Sequence, residues 1–466
     1  MESGDGVSDV VVVGGGLAGL AAAVALAGDG AAVTLLERRP AIGGRAYSYE
    51  HPALEETVDS QHVVLGCCTN LLELCGQAGA GDLVRWYDEL IFLEPGGRRS
   101  VMKSGGLPAP LHQTMSFLRA PMLGLKDKAG IAAGLLQFLR GYPSNDAESF
   151  ASWLKRTGQT ERSIRHFWEP VVVGALNDGF DACSVKYAGK VFHESFLKSV
   201  EGGRLGIPAA PLTEFFTPVA ELAERLGVRM QLKSGVDGLE QRDGRWVVRA
   251  GEEEHSADAV VLATDFRQTR KLLEGLGGAG AVAVDLERFV TAPITTVHLW
   301  YDRDVTELDH AVLLDTRIQW VFAKSRIRHW EASRGSYLEL VISASWAELG
   351  MGREEILASA LRELELFFPK VREARLVKSG VLKEARATFS VTPGLDAFRP
   401  GQRTEWPGLY LAGDWTATEW PSTMEGAVRS GRLAAGAVVG EAGRFMAAET
   451  PASGLMRWLS RSAVHP

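Results

Sequence analysis

The chain has 466 residues, 46% of them apolar and 23% charged, with a formal net charge of −8. That length buries a large core and suits two domains, and the composition is neither fibrous nor disordered. The acidic balance argues against nucleic acid as the main partner, because phosphate binding needs a basic surface. The 4 cysteines, Cys67, Cys68, Cys75 and Cys183, fit no usual zinc spacing and read as reduced, largely buried thiols of a cytoplasmic protein.

Residues 10–13 form an apolar run, expected as a strand, and Gly14-Gly15-Gly16-Leu17-Ala18-Gly19 follows at once. The spacing Gly14, Gly16, Gly19 is a G-x-G-x-x-G fingerprint between a strand and a helix. Gly14 serves the tight turn, Gly16 the close backbone approach to a pyrophosphate, and Gly19 the helix–strand packing. Leu17 and Ala18 open a helix whose free N–H groups and positive dipole end meet phosphate. A second strand over 32–36 ends in Glu37, near the spacing expected for a carboxylate on ribose hydroxyls. The pattern predicts a dinucleotide site. Residues 10–28 carry no charge and have the length of a transmembrane helix. Against a span stand the glycine spacing, the following strand with its terminal acid, and an acidic 1–9 segment unlike a signal-peptide n-region.

Arg38-Arg39-Pro40-Ala41-Ile42-Gly43-Gly44-Arg45 comes next. A Gly-Gly-Arg soon after the ribose-binding acid resembles the flavoprotein amine oxidase and carotenoid desaturase superfamily. The resemblance implies FAD, with Gly43 and Gly44 letting the loop cross the pyrophosphate, Arg45 neutralising it, and Arg38 beside it. Downstream, 71–78 reads as a helix and 91–100 as a hairpin turning at Pro95-Gly96-Gly97. Residues 104–121, rich in Pro and Gly, mark a change of domain. From 126 to 166 the pattern is helical, with Ser149 a candidate N-cap. An amphipathic helix over 218–226 precedes strands at 228–232 and 236–239, where the superfamily reads the adenine side through the backbone of the residue matching Val236. A partner strand, 246–249, follows the Asp243-Gly244 turn, and 259–264 reads as a buried parallel strand. Strands at 294–301, 312–322 and 337–343 suit a second, mixed sheet covered by an amphipathic helix at 354–368.

The chain returns to the cofactor near its end. Residues 408–415 form a short apolar strand running into Gly413-Asp414, and the matching aspartate of the superfamily holds the ribityl chain or pyrophosphate of FAD. Met424, Glu425, Gly426 and Ala427 then open a small-residue helix whose N-terminus approaches the flavin, where its dipole stabilises negative charge on the reduced ring. The expected fold is α/β: a discontinuous Rossmann-like FAD-binding domain (1–80, 205–290, 401–466) with an inserted α+β substrate domain (81–204, 291–400) containing a mixed sheet and helices.

Flavin binding leaves the reaction open, because the cofactor carries the redox chemistry. Val58-Asp59-Ser60-Gln61-His62 continuing to Asn70 resembles the hydroxysqualene dehydroxylases, the squalene-associated FAD-dependent desaturases of hopanoid pathways. Phe167-Trp168-Glu169-Pro170, Ala175-Leu176-Asn177, His193-Glu194-Ser195-Phe196-Leu197 and the stretch from Asp414 to Gly431 share the likeness, which spans essentially the whole chain. One departure stands out: the family reads Asp-Asn-x-Gln-His, whereas this chain has Asp59-Ser60-Gln61-His62, one residue shorter.

The implied reaction is reductive removal of an allylic hydroxyl from hydroxysqualene to give squalene, with hydride from flavin N5 quenching the cation. It requires a general acid, water exclusion and a long apolar channel. Asp59 or His62 is the candidate proton donor, and Gln61 would orient the hydroxyl. Phe167, Trp168, Phe192, Phe196, Phe215, Phe216, Trp300, Trp320 and Phe322 are channel candidates as a set, although any one such aromatic is more often plain core. Carotenoid or phytoene desaturation, which runs the flavin in the opposite direction, stays open. So do an amine oxidase and, last, a non-enzymatic flavin protein. The implied partners are a long apolar isoprenoid substrate, prenyl-synthase-like enzymes that make it, an unnamed electron donor and peripheral contact with the inner membrane face. Residues 325–329 and 456–461 are the basic or amphipathic pieces suited to such contact, or to a solvated face.

Overall fold

A computed structural model describes residues 9–277, 280, 282 and 285–459. Strand Asp9–Val13 lies at the centre of a five-stranded parallel sheet in the order Arg229–Leu232, Ala32–Glu37, Asp9–Val13, Ala259–Leu262, Leu409–Leu411. Val13 is in register with both Leu36 and Leu262, so Gly14, Glu37 and Ala263 share the carboxyl edge, where open α/β sheets bind ligands. Side chains alternate across this sheet. Val10, Val12 and Leu35 join a core with helix Leu17–Gly28 and helix Met424–Val438. Val11, Val13 and Leu36 face Trp246 and Val248 of a three-stranded antiparallel sheet, Gly238–Arg242, Arg245–Ala250, Glu253–Ala257. Helix Leu17–Gly28 is all small and apolar because it is enclosed, with 10 of its 12 residues buried. A Cβ on Gly431 would stand 2.1 Å from the Ala18 carbonyl oxygen, so glycine alone lets the two helices cross this closely. Among the described residues no helix is long and apolar enough to cross a membrane.

The second sheet has seven strands, in the order Leu376–Phe389, Thr291–Tyr301, Ser336–Ser343, Trp320–Ala323, His310–Leu313, Glu89–Leu93, Arg99–Lys103. It is mixed, since His310–Leu313 runs parallel to Glu89–Leu93. Helix Arg353–Phe367 covers one face, packing Ile356, Ala360 and Leu364 on Val297, Leu299 and Leu340. The other face meets a small sheet of Val64–Leu65, Leu205–Pro208 and Val84–Tyr87.

The expected strand over 312–322 is instead a hairpin of His310–Leu313 and Trp320–Ala323. Asp315 takes φ +60° at its bend, and its carboxylate meets His166 Nε2 at 2.9 Å. The helical stretch over 126–166 divides into Leu125–Phe138 and Phe150–Arg156, parted at Gly141 (φ +125°), and Ser149 caps the second by accepting from Ser152 N–H. Strand Leu376–Phe389 escapes pattern reading because it is an edge strand, and Lys378, Lys383, Glu384 and Arg386 interrupt its apolar period.

Candidate cofactor and substrate site

Three stretches of chain converge at the carboxyl edge of the parallel sheet. Gly14 has φ +111°, and a Cβ there would lie 2.7 Å from the Ala263 carbonyl. Gly19 presses on the Gly14 carbonyl, where a Cβ would stand at 1.9 Å. Gly16 is the N-cap of helix Leu17–Gly28, with no side-chain cap and no acid in the first turn, so the helix's first N–H groups are open to an anion. Glu37 accepts from Gly15 N–H at 2.6 Å through one oxygen and from Arg39 N–H at 2.7 Å through the other. Each oxygen keeps a lone pair for a ribose hydroxyl.

The Gly43-Gly44 turn crosses above this cradle. Gly43 N–H donates to Gly15 O at 2.8 Å, and a Cβ on Gly44 would lie 2.9 Å from Gly16 Cα. Arg39, which the motif reading passed over, braces the turn by donating to Gly44 O at 2.7 Å, while Arg38 is exposed and rests on Gly235. Arg45 pairs with Asp414 at 2.5 Å, joining the first stretch to the last, and Ser422 donates to the other Asp414 oxygen at 2.5 Å. Gly413 has φ +142° and donates to Ser430 Oγ at 2.8 Å. Val236 lies buried in the loop before Gly238–Arg242, with Gln268 donating to its carbonyl.

Helix Met424–Val438 offers less than its sequence suggests. Thr423 Oγ1 already accepts from Gly426 N–H at 3.0 Å, and Ala427 N–H bonds back to Thr423 O, which leaves the N–H groups of Met424 and Glu425. The Glu425 carboxylate points elsewhere: it accepts from Asn70 Nδ2 and from the backbone N–H groups of Asn70 and Leu71, capping helix Thr69–Ala78. A buried arginine unseen in the motifs, Arg399, donates to the carbonyls of Asp414, Trp415, Thr416 and Trp420 and so fixes the 414–420 loop. Cradle, crossing loop and half-exposed arginine fit a dinucleotide pyrophosphate.

Beside this cradle, four charges are buried together. Asp59 pairs with Lys324 and, at 3.0 Å through both oxygens, with Arg328; it also accepts from Leu212 N–H. Lys324 reaches Glu339 at 2.5 Å, and Glu339 accepts from Gln61 N–H at 2.7 Å. Burial alone would raise the Asp59 pKa, but the Lys324 and Arg328 charges override it and hold the carboxyl well below the usual carboxylate range. The structure thus places Asp59, the expected proton donor, as the carboxylate partner of two cations. Glu339 moves the other way: burial raises it above 4.5, only partly offset by Lys324.

His62, the other expected donor, is held differently. Its Nδ1 sits 2.8 Å from the Ser60 carbonyl, which can only accept, so Nδ1 carries the hydrogen. Burial lowers its pKa below 6.5 despite that bond. The ring is neutral near pH 7, with its lone pair on Nε2. Gln61 spends its side-chain N–H on the His62 carbonyl at 2.7 Å.

The channel candidates separate. Phe167, Trp168 and Phe192 stack with Phe138, Phe150 and Trp153 in a closed aromatic core, with Phe196 at its margin. Phe215 and Phe216 belong to the cofactor-domain core, and Trp300 stacks on Tyr337. Trp320 and Phe322, stacked 5.6 Å apart, pack with Leu205, Ile207 and Val341 in the apolar layer between the small sheet and the mixed sheet, with Leu65, Leu90 and Ile294 at its margin. Within residues 325–329 Ser325 and Ile327 are buried and Arg328 serves Asp59, which leaves Arg326 and His329 to reach solvent.

The geometry defines a flavin-dependent oxidoreductase, and residues 17–439 match the family of flavin containing amine oxidoreductases. The chain belongs to that family and binds FAD. It is 28% identical over 457 residues to the 15-cis-phytoene desaturase of Synechococcus elongatus, covering 92% of this chain and 95% of the relative. It is also 28% identical to the zeta-carotene desaturase of a Synechocystis species, covering 94% and 99%. Among solved structures, an oxidoreductase from Methanosarcina mazei matches with a TM-score of 0.71 at 18% identity, covering 91% of this chain and 98% of that one. Cyclohexylamine oxidase from Brevibacterium oxydans matches with a TM-score of 0.65 at 19% identity, covering 93% and 99%. These structures share the fold.

Proposed function

We propose that this enzyme desaturates a long isoprenoid hydrocarbon, taking hydride from a C–H bond beside a polyene. The observation that carries the reading is His62, whose ring is held by the Ser60 carbonyl through Nδ1 and so keeps Nε2 free to accept a proton, in the loop that packs on the apolar layer of Leu65, Trp320 and Phe322. Bound FAD supplies the two-electron acceptor. Neutral His62 offers Nε2 to take the proton lost from the neighbouring carbon, and Gln61 fixes the loop through Glu339. The carotenoid desaturases among the relatives support the same substrate class. This reverses the hydride direction that the 59–70 resemblance implied. Dehydroxylation of hydroxysqualene is the second reading, and the observation behind it is Glu339, a buried carboxyl of the same cluster that burial shifts toward holding a proton, against the pull of Lys324.

The test is anaerobic and single-turnover. Oxidised holoenzyme mixed with phytoene in detergent is expected to bleach its flavin and yield a polyene with one more double bond. His62→Gln should slow bleaching by about 10²-fold, the lower end for a positioned base, with the flavin spectrum unchanged. No bleaching by phytoene, with chemically reduced enzyme re-oxidised by hydroxysqualene, would replace this reading by the second.

A further inference from the structure

The outer side of the helical region is apolar where solvent should favour polar residues. Helix Leu125–Phe138 buries Ile131, Gly134 and Phe138 inward. Its outward stripe at i, i+4, i+7, i+11 is Leu125, Ala129, Ala132 and Leu136, all exposed, with Leu125 at 86% and Leu136 at 66%. The preceding segment adds Leu111, Met115 and Leu118, each more than 40% exposed. Lys128 Nζ donates to the Leu118 carbonyl at 2.8 Å, tying the two pieces together. The C-terminal segment joins them through Leu455 N–H on the Ala109 carbonyl at 2.8 Å and presents Trp458, 87% exposed. Isolated exposed leucines need no explanation, but a contiguous patch on three adjoining segments does.

Charge identifies the occupant. The whole chain is acidic at −8, yet residues 104–140 carry Arg119, Lys126, Lys128 and Arg140 against one acid, Asp127. Asp127 is buried, accepting from Gly124 N–H and Thr160 Oγ1. Arg457 adds a further cation beside Trp458. Leucines and a tryptophan within a basic rim, on an otherwise acidic protein, match an interfacial bilayer surface with anionic headgroups.

We propose that this face, made of Leu111–Leu118, the outward stripe of helix Leu125–Phe138 and Leu455–Trp458, seats the enzyme on an anionic lipid bilayer. The surface stands on these residues alone and does not depend on the direction of hydride transfer. The test is co-sedimentation of holoenzyme with extruded vesicles of phosphatidylcholine, with and without phosphatidylglycerol, at low and high salt. Binding is expected with phosphatidylglycerol and to weaken with salt. Leu125→Ser/Leu136→Ser/Trp458→Ser should lower the partition coefficient at least tenfold, and Arg119→Glu/Lys126→Glu should remove the phosphatidylglycerol preference. Both variants should retain flavin and keep their turnover with substrate dispersed in detergent, which separates this proposal from the substrate reading. Absence of vesicle binding, equal binding by the triple variant, or a dimer in sedimentation velocity that the triple variant dissolves would each overturn it; the last would make the face an interface between two copies.

Discussion

The cofactor cradle and the buried charge cluster stand side by side and are built in opposite ways. The cradle is backbone: Gly14, Gly16, Gly19, Gly43 and Gly44 matter because they lack side chains, and N–H groups do the holding. The cluster is side chain: Asp59, Lys324, Arg328 and Glu339 come from separate parts of the sequence, and each is tolerable in the interior only because the others are present. The cluster joins the 59–62 loop to the mixed sheet, and its two cations balance its two carboxylates.

The sharpest way to break this comparison is Gly19→Val, whose side chain would enter space where a Cβ already lies 1.9 Å from Gly14 O. The purified protein is expected to carry no flavin absorbance, and flavin retained in full would show that the helix can shift. Next is Lys324→Met, which leaves Asp59 with Arg328 and takes from Glu339 its ion-pair partner. Breaking a buried pair this way should cost ~3–5 kcal/mol in urea unfolding, and adding Asp59→Asn should recover part of it. An unchanged midpoint would mean the cluster is solvated.

Acid should loosen the fold through buried histidines. Burial holds His298 at about 3 and His310 at about 4, both below 6.5. Below pH 6.5 the unfolded chain binds protons that these rings refuse, so their contribution is present above 6.5 and is lost as pH falls toward 4. Each such histidine adds up to about 1.4 kcal/mol per pH unit to the slope. His310→Gln should flatten the slope of unfolding free energy against pH between 6 and 5 (about one proton fewer), and an unaltered slope would refute the assignment. The smallest effect is expected from Arg45→Met. Its guanidinium is half-exposed, so FAD affinity should fall about tenfold, ~1.4 kcal/mol, with apo-protein stability nearly unchanged.

The same contrast decides what was legible in the sequence. The cradle's rules are local: a glycine where a turn or close approach demands it, and an acid at the end of the next strand. Gly14 to Glu37, Gly43 to Arg45 and Gly413-Asp414 could therefore be named from spacing and resemblance. The cluster's rules are long-range. Asp59 was visible, but its partners lie far away, on the segment after Trp320–Ala323 and on Ser336–Ser343, so a proton donor was expected where the fold holds a fixed anion. Arg399 and Arg39 were hidden for a related reason, since one arginine among many gives no sign that its partners are carbonyls. Aromatic residues misled in the opposite sense. Phe167, Trp168 and Phe192 suited a channel by type, yet they close on one another as core.

The crossing of helix Leu17–Gly28 by helix Met424–Val438 has a consequence for how the protein comes to be made. The outer strand of the cofactor sheet, Leu409–Leu411, and the helix whose Gly431 rests on Ala18 are synthesised nearly a whole chain after the glycines they complete. During translation the first β-α-β unit therefore emerges with the edge of strand Asp9–Val13 that Ala259–Leu262 later pairs, and one side of helix Leu17–Gly28, uncovered, an apolar surface of alanine, leucine and valine. That surface is fully buried only once helix Met424–Val438 has been made, so the N-terminal unit stays exposed to misassociation through most of synthesis.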